Sequence, residues 1–148
     1  MDGRSKVEDT ICIHWQPVTI EGQEVADSTM VLYGYVTLEK NQIVYIGKAD
    51  RSTVWERHRC RSKAPVWSRI YSHFGRHEKC FLIVGELAVP QGRRFSSALL
   101  SDVETLLISR LKPIGNRSAV ATRISRPGTR VLCRGAWWPL SRRTFKDA

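Results

Sequence analysis

The 148-residue sequence has few cysteines, and none of its apolar runs is long enough to cross a membrane. Its four cysteines are widely separated and form no CxxC pair; they are Cys12, Cys60, Cys80 and Cys133. This spacing is typical of reduced thiols in a cytosolic protein and not of a disulfide framework. The polar first residues lack the apolar core of a signal peptide. We therefore expect a cytoplasmic protein without a membrane segment.

Acidic side chains are scarce after residue 29, and the net charge of the chain is +10. Residues 1–29 carry two basic and six acidic side chains, residues 30–116 carry fourteen and seven, and residues 117–148 carry eight and one. Such a charge distribution favours a polyanionic partner, and the planar guanidinium of the abundant arginines suits phosphate. The alternative is a basic surface that is merely solvated.

The length of the chain corresponds to one domain with extensions, and its 42% apolar residues can supply a core. We divide it into an acidic N-terminal extension (1–29), a core (30–116) and a basic C-terminal extension (117–148).

Two β-rich runs, 31–38 and 43–46, are separated by a polar break and predict a β-hairpin. A three-residue loop would place Tyr35 directly opposite Tyr45, whereas a four-residue loop would send the two phenols to opposite faces. The shorter loop needs a left-handed residue at its end, which Asn41 tolerates. We therefore predict that the two tyrosines face each other.

The rest of the chain predicts a small α+β fold. The expected elements are an accessory strand over 11–20, a short helix opened by a capping box at 53–56, helices over 65–74 and 96–112, and strands over 80–89 and 130–133. The core order β-β-α-α-β-α indicates a mainly antiparallel three-stranded central sheet flanked by helices. Both termini could add accessory strands to it.

Glu104 is a carboxylate on the apolar stripe of the predicted helix over 96–112. It follows Leu100 by four residues and precedes Leu107 by three, so helical geometry places it on or beside the buried face. A carboxylate is destabilising there unless a metal ion or another group binds it. The alternative is a structural acid, because residues 101–104 could form a second capping box at a later helix start.

The sequence YGY at residues 33–35, followed nine residues later by YIG at residues 45–47, resembles the paired motif of the GIY-YIG nuclease superfamily. Tyr33 departs from the motif, since the family usually has Gly there. Residues 104–116 (ETLLISRLKPIGN) resemble the family's last motif, a helical glutamate followed by Pro and Asn. The resemblance covers residues 31–116, and both extensions fall outside it.

This resemblance implies a metal-dependent DNA endonuclease that hydrolyses phosphodiester bonds with Mg²⁺ (or Mn²⁺). Tyr45, or else Tyr35, would be the general base. Glu104 would hold the single metal ion, Arg57 would bind a phosphate oxygen, and Asn116 would orient Glu104 or a phosphate. The implied catalytic residues are Tyr35, Tyr45, Lys48, Arg57, Glu104 and Asn116.

The expected partner is DNA, duplex or branched, with RNA less favoured and the oligomeric state open. The residues assigned to DNA binding are Lys48, Arg51, Arg59, Arg61, Arg117, Arg123, Arg126 and Arg130. Arg61 also marks a departure, because the family commonly has His or Tyr one helical turn after its arginine.

Three other interpretations stay open. The chain could be a nucleic-acid-binding module of the same fold with weak or no catalysis. It could be a basic RNA-binding protein that uses Trp137 and Trp138 for stacking. A zinc site is conceivable, although its spacing matches no common zinc module; its ligands would be Cys60, His73, His77 and Cys80.

Overall fold

The computed structural model describes residues 10–19, 23–76, 78–116, 124 and 128–147. The strands are β1 (Thr10–Pro17), β2 (Val31–Thr37), β3 (Ile43–Ala49), β4 (Cys80–Ala88), β5 (Arg130–Gly135) and β6 (Thr144–Lys146). The α-helices of these ranges are α1 (Val54–His58), α2 (Ala64–Phe74) and α3 (Ser97–Leu111), and short 3-10 helices occupy Gln23–Asp27 and Arg61–Lys63. Every helix among them is too short or too polar to span a bilayer.

All six strands form one mixed, curled sheet in the order β3-β2-β4-β1-β5-β6. The predicted three-stranded sheet flanked by helices is therefore wrong. Strand β1 pairs antiparallel with β4 on one side and parallel with β5 on the other. Local alternation identifies a strand but does not show which of its two edges will be paired. The sequence therefore did not show that the second edge of β4 pairs with β1, or that β5 and β6 extend the sheet beyond β1.

The β2–β3 hairpin places Tyr35 opposite Tyr45, as predicted, but through a different loop. The Thr37 N–H donates to the Gln42 carbonyl at 2.9 Å, so the loop spans four residues, 38–41. A register shift immediately after Tyr35 leaves one extra residue in β3, which is a β-bulge. The bulge offsets the longer loop and restores the facing pair.

The sheet separates two apolar clusters, as the alternation in β2 predicts. Leu32 and Val36 point into a cluster that includes the buried face of α3. Tyr33 and Tyr35 point into a second cluster, which contains buried residues of α1 and α2. Side chains of the hairpin can therefore meet groups from helices on both sides of the sheet.

Candidate functional site

Three tyrosines of the hairpin pack against one another beside α1 and α2. The rings of Tyr35 and Tyr45 are stacked, with centroids 5.3 Å apart and planes 25° apart. The Tyr33 ring lies 6.2 Å from Tyr35 and 5.9 Å from Tyr45. A Cβ on Gly47 would lie 2.7 Å from the Tyr45 hydroxyl and 2.9 Å from Cζ of Tyr33, so only glycine leaves room for this arrangement.

Burial raises the pKa of both facing tyrosines, but their neighbours differ. The pKa of Tyr35 is raised by burial and then by Tyr45 and Cys80. For Tyr45, burial again raises the pKa, the Tyr33 hydroxyl lowers it, the Glu104 carboxylate raises it, and the cations of Arg57 and Arg69 lower it. Tyr45 is therefore the phenol of this pair that faces both the carboxylate and the cations of the site.

His58 lies in hydrogen-bond contact with Tyr35, with 2.8 Å between its Nδ1 and the phenol oxygen. Burial lowers the pKa of His58, and the cations of Lys63 and Arg59 lower it further. A neutral imidazole at neutral pH can accept a hydrogen bond from the Tyr35 hydroxyl. His58 was not predicted, because the family's His or Tyr is expected one helical turn after Arg57 and His58 follows Arg57 directly.

Lys63 is a second residue that the sequence analysis missed. It is only 3% exposed, and its Nζ lies 5.5 Å from the ring centroids of both Tyr33 and Tyr45. Burial lowers its pKa, and Arg57 lowers it further, while Cys60 and Glu104 raise it. Lys63 belongs to a single 3-10 turn between two helices, so no periodic pattern indicated that it points inward.

Glu104 lies on α3, half-buried, as its position on the apolar stripe predicts. The helix begins earlier than the alternative capping box would require, because Ser96 caps it by accepting a hydrogen bond from the Leu99 N–H. Burial raises the pKa of Glu104, and three cations lower it; in order of effect these are Lys48, Arg57 and Lys63.

The cations around Glu104 come from both faces of the sheet. The Lys48 ammonium donates to the Ser101 hydroxyl on α3. Arg57 reaches the site from α1, and its Nε is buried without a hydrogen-bond partner within the described ranges. With Lys63, three positive groups act electrostatically on one carboxylate, and together they exceed its charge by two. Such a site is suited to an anion with several oxygen acceptors.

Asn116 has a different contact from the one expected for it. Its Nδ2 donates to the Ile46 carbonyl at 2.9 Å, and its Oδ1 accepts from the Ile46 N–H at 3.1 Å. The Gly115 N–H donates to the Val44 carbonyl, and Arg69 donates twice to the Gly115 carbonyl. Asn116 thus holds the outer edge of β3 next to Tyr45, and its expected role of orienting Glu104 or a phosphate stays a prediction.

The arginines assigned to DNA binding are dispersed. Arg51 is exposed in the loop after β3, and Arg61 is exposed at the start of the 3-10 helix that follows α1. Arg59 lies over Trp55 with 5.9 Å between guanidinium and ring. Arg130 lies on β5, four strands from β3, and is apart from the site. The remaining three, Arg117, Arg123 and Arg126, fall outside the described residues.

The proposed zinc ligands are not assembled in the part of the chain that can be described. Within it, no group of three His, Cys, Asp or Glu side chains is placed to hold a metal ion. His77 lies outside the described residues. All four cysteines carry free thiols, as the sequence predicts.

Comparisons with protein-family models, with curated proteins and with solved structures found no match for this chain. The geometry and charge of the site are therefore the basis for its functional interpretation.

Proposed function

We propose that the protein is a GIY-YIG-type endonuclease that hydrolyses phosphodiester bonds in DNA. The observation that carries the proposal is the convergence of three cations on the half-buried Glu104 beside the Tyr45 phenol. This set contains the groups that such a reaction requires: a base, a metal-binding carboxylate and donors to the phosphate.

The charge of the site matches a phosphodiester that is being attacked. A diester carries one negative charge and gains a second as the nucleophile adds to phosphorus. Lys48, Arg57 and Lys63 exceed Glu104 by two positive charges, and they act where burial weakens screening by water. Their attraction is consequently stronger in the transition state than in the bound substrate, which is what accelerates a reaction.

A single Mg²⁺ (or Mn²⁺) fits Glu104 when it binds together with a phosphate. Mg²⁺ commonly uses one or two carboxylates and completes its coordination with substrate phosphates and water. The three neighbouring cations disfavour a metal ion at Glu104 alone, and the phosphate would offset that repulsion. When bound, the ion would stabilise charge on the phosphate and on the leaving oxygen.

Tyr45 is the better placed of the two candidate bases. Burial and the Glu104 carboxylate raise the pKa of Tyr45, but the Tyr33 hydroxyl, Arg57 and Arg69 act against that rise, and the Lys63 ammonium lies 5.5 Å from its ring centroid. Burial, Tyr45 and Cys80 all raise the pKa of Tyr35, so the Tyr45 phenolate is favoured relative to that of Tyr35. The Tyr35 hydroxyl is engaged with His58. We infer that Tyr45 takes the proton from the attacking water, while Tyr35 and His58 hold the ring stack in place.

Nicking of supercoiled plasmid tests the proposal directly. The wild-type protein should nick with Mg²⁺ and not with EDTA. Glu104→Gln should lose nicking while keeping its fold and DNA binding, and the matched variant Glu86→Gln, on an exposed position of β4, should keep full activity. A folded wild-type protein that nicks neither supercoiled, linear nor branched DNA would refute the proposal.

A DNA-binding module without catalysis is the second candidate. It is favoured by Tyr33, which is fully buried against Tyr45 where the family usually has Gly. In that case the wild-type protein and Glu104→Gln bind DNA with the same affinity and neither nicks it.

A further inference from the structure

A row of aromatic rings leads from the candidate site to the surface of α2. It begins with the stacked pair of Tyr45 and Tyr35. The Tyr35 ring lies 4.5 Å from Trp67 with planes 32° apart, and Trp67 stacks on Tyr71 at 5.9 Å with planes 25° apart. Tyr71 ends the row and is 37% exposed. Neighbouring rings in this row deviate from parallel by no more than 32°.

The outer end of the row is bordered by positive charge. Two adjoining surface depressions share Trp67, Tyr71 and Arg76, and one of them also includes Lys79 and Glu78. The side chains of Arg76 and Lys79 are exposed, so two cations accompany one carboxylate around the rings. Proteins that bind single-stranded nucleic acid use this combination of stacking aromatic side chains and cations.

We propose that Tyr71, backed by Trp67, forms a stacking site for an unpaired nucleobase, so that the substrate class is DNA with a single-stranded segment near the cleaved bond. The inference rests on the proposed nuclease function. Bases within a duplex already have both faces covered by their neighbours, and only an unpaired base offers a free face to an aromatic side chain. Arg76 and Lys79 bind the phosphates that flank this base. Successive ring centroids from Tyr45 to Tyr71 are separated by 5.3, 4.5 and 5.9 Å, so the stacked base lies farther along the strand and not beside the nucleotide whose phosphate enters the site.

The test measures binding alone, in EDTA, so that it does not depend on cleavage. A fluorescent single-stranded oligonucleotide and the same sequence as a blunt duplex are titrated with the protein. Tyr71→Leu should weaken binding to the single strand roughly 5- to 100-fold, the range for loss of one base–aromatic stack, and leave duplex binding unchanged. Tyr71→Phe keeps the ring and should bind like the wild type. His73→Leu, at an exposed position of the same helix outside both depressions, is the matched control.

An oligonucleotide with a single abasic position identifies the stacked base. The lesion should weaken binding of the wild-type protein at one position and have no effect there on Tyr71→Leu, because the two changes remove the same contact. Unchanged single-strand binding by Tyr71→Leu, or an equal loss on duplex, would overturn the inference. So would sedimentation showing that Tyr71→Leu only dissociates an oligomer, since the rings would then bind a second copy of the chain.

The nicking assay separates this inference from the proposed function. A wild-type protein that nicks plasmid, with a Tyr71→Leu variant that binds single strands normally, would overturn the stacking site alone. A wild-type protein that never nicks, with a Tyr71→Leu variant that loses single-strand binding, would leave the stacking site standing and overturn the nuclease.

Discussion

Glu104 is a half-buried carboxylate whose ionisation should set the acid limit of activity. Burial raises its pKa above the ordinary value of 4.5, so it takes up a proton at a higher pH than an exposed glutamate does. The protonated form cannot hold a divalent ion. We therefore expect kcat/KM for nicking to fall as the pH drops through this raised pKa, at a fixed Mg²⁺ concentration.

Raising the Mg²⁺ concentration should shift that acid limb to lower pH, because the metal ion and the proton compete for the same carboxylate. If the pH at which kcat/KM falls does not change with the Mg²⁺ concentration, a group other than Glu104 is responsible for the acid limb. The melting temperature, measured at each pH, controls for unfolding.

Lys63 is the buried ammonium that lies against Tyr33 and Tyr45. Its removal should change the pKa of Tyr45, the proposed general base. Lys63→Met keeps most of the side-chain volume and removes the charge. The Tyr45 phenolate then loses a stabilising cation, so its pKa rises and activity at neutral pH falls. We expect kcat/KM to decrease about tenfold for each unit by which the pKa rises. Lys79→Met, at an exposed position, is the control.

The pH profile of the Lys63→Met variant identifies the mechanism of its defect. If Tyr45 acts as a phenolate, kcat/KM should increase with pH as the phenol ionises. If Lys63 favours that phenolate, the increase should occur at higher pH in Lys63→Met. Tyr45→Phe should abolish the increase in both the wild-type and the Lys63→Met protein. An unchanged profile shape in Lys63→Met, with only KM raised, would instead assign Lys63 to binding of the phosphate.

At the scale of elements, residues 115 and 116 determine how the edge strand β3 presents Tyr45. Asn116 bonds both polar groups of the Ile46 backbone. Asn116→Ala removes both bonds and should lower the free energy of unfolding by about 1–3 kcal/mol, the scale for leaving such groups unsatisfied. Asn116→Asp keeps the acceptor for the Ile46 N–H but places a carboxylate against its carbonyl oxygen.

Urea denaturation and nicking of the two variants together check this role. We expect Asn116→Asp to be no more stable than Asn116→Ala, and the turnover of both to fall because Tyr45 is displaced. Full stability with lost turnover would instead indicate that Asn116 contacts the substrate.

The hairpin marks how far local sequence can predict this fold. The pairing of Tyr35 with Tyr45 was predicted correctly, and Asn41 is left-handed as expected, with φ of 50°. The bulge was not predicted, because its extra residue, Val44, bonds through its carbonyl to the N–H of Gly115 at 2.6 Å. A contact between residues so distant in sequence leaves no local signal.

The candidate site divides along the same line. Glu104 was proposed from its helical spacing, and Tyr45, Lys48 and Arg57 from the order of the motifs. Both signals lie within short stretches of sequence, so neither requires knowledge of how distant segments pack. Lys63 was not predicted because it lies in a 3-10 turn without periodicity. His58 was not predicted because its partner, Tyr35, comes near it only when α1 packs on the hairpin.

At the scale of the whole molecule, the first and last described strands, β1 and β6, belong to the same sheet as the hairpin. Trp15 of β1 and Trp137, which follows β5, are both buried and their ring centroids lie 5.3 Å apart. The Trp137 indole N–H donates to the Arg142 carbonyl at 2.8 Å, so the segment between β5 and β6 is fixed to this pair. The described part of the basic C-terminal extension therefore contributes to the core, and deleting it would remove more than charge.

Trp137 and Trp138 are adjacent, and their burial differs enough to test this role. Trp137 is fully buried, whereas Trp138 is half-buried and packs edge-on against Phe81 at 5.5 Å. Trp137→Ala should lower the free energy of unfolding by about 3–5 kcal/mol, the usual loss for a buried aromatic side chain, and Trp138→Ala should lower it by less. The measurement is urea denaturation followed by circular dichroism. Both variants should nick DNA like the wild type at temperatures where they are folded, because neither contacts the groups around Glu104. If Trp137→Ala is as stable as the wild type but loses single-strand binding, Trp137 serves recognition of nucleic acid and not the core.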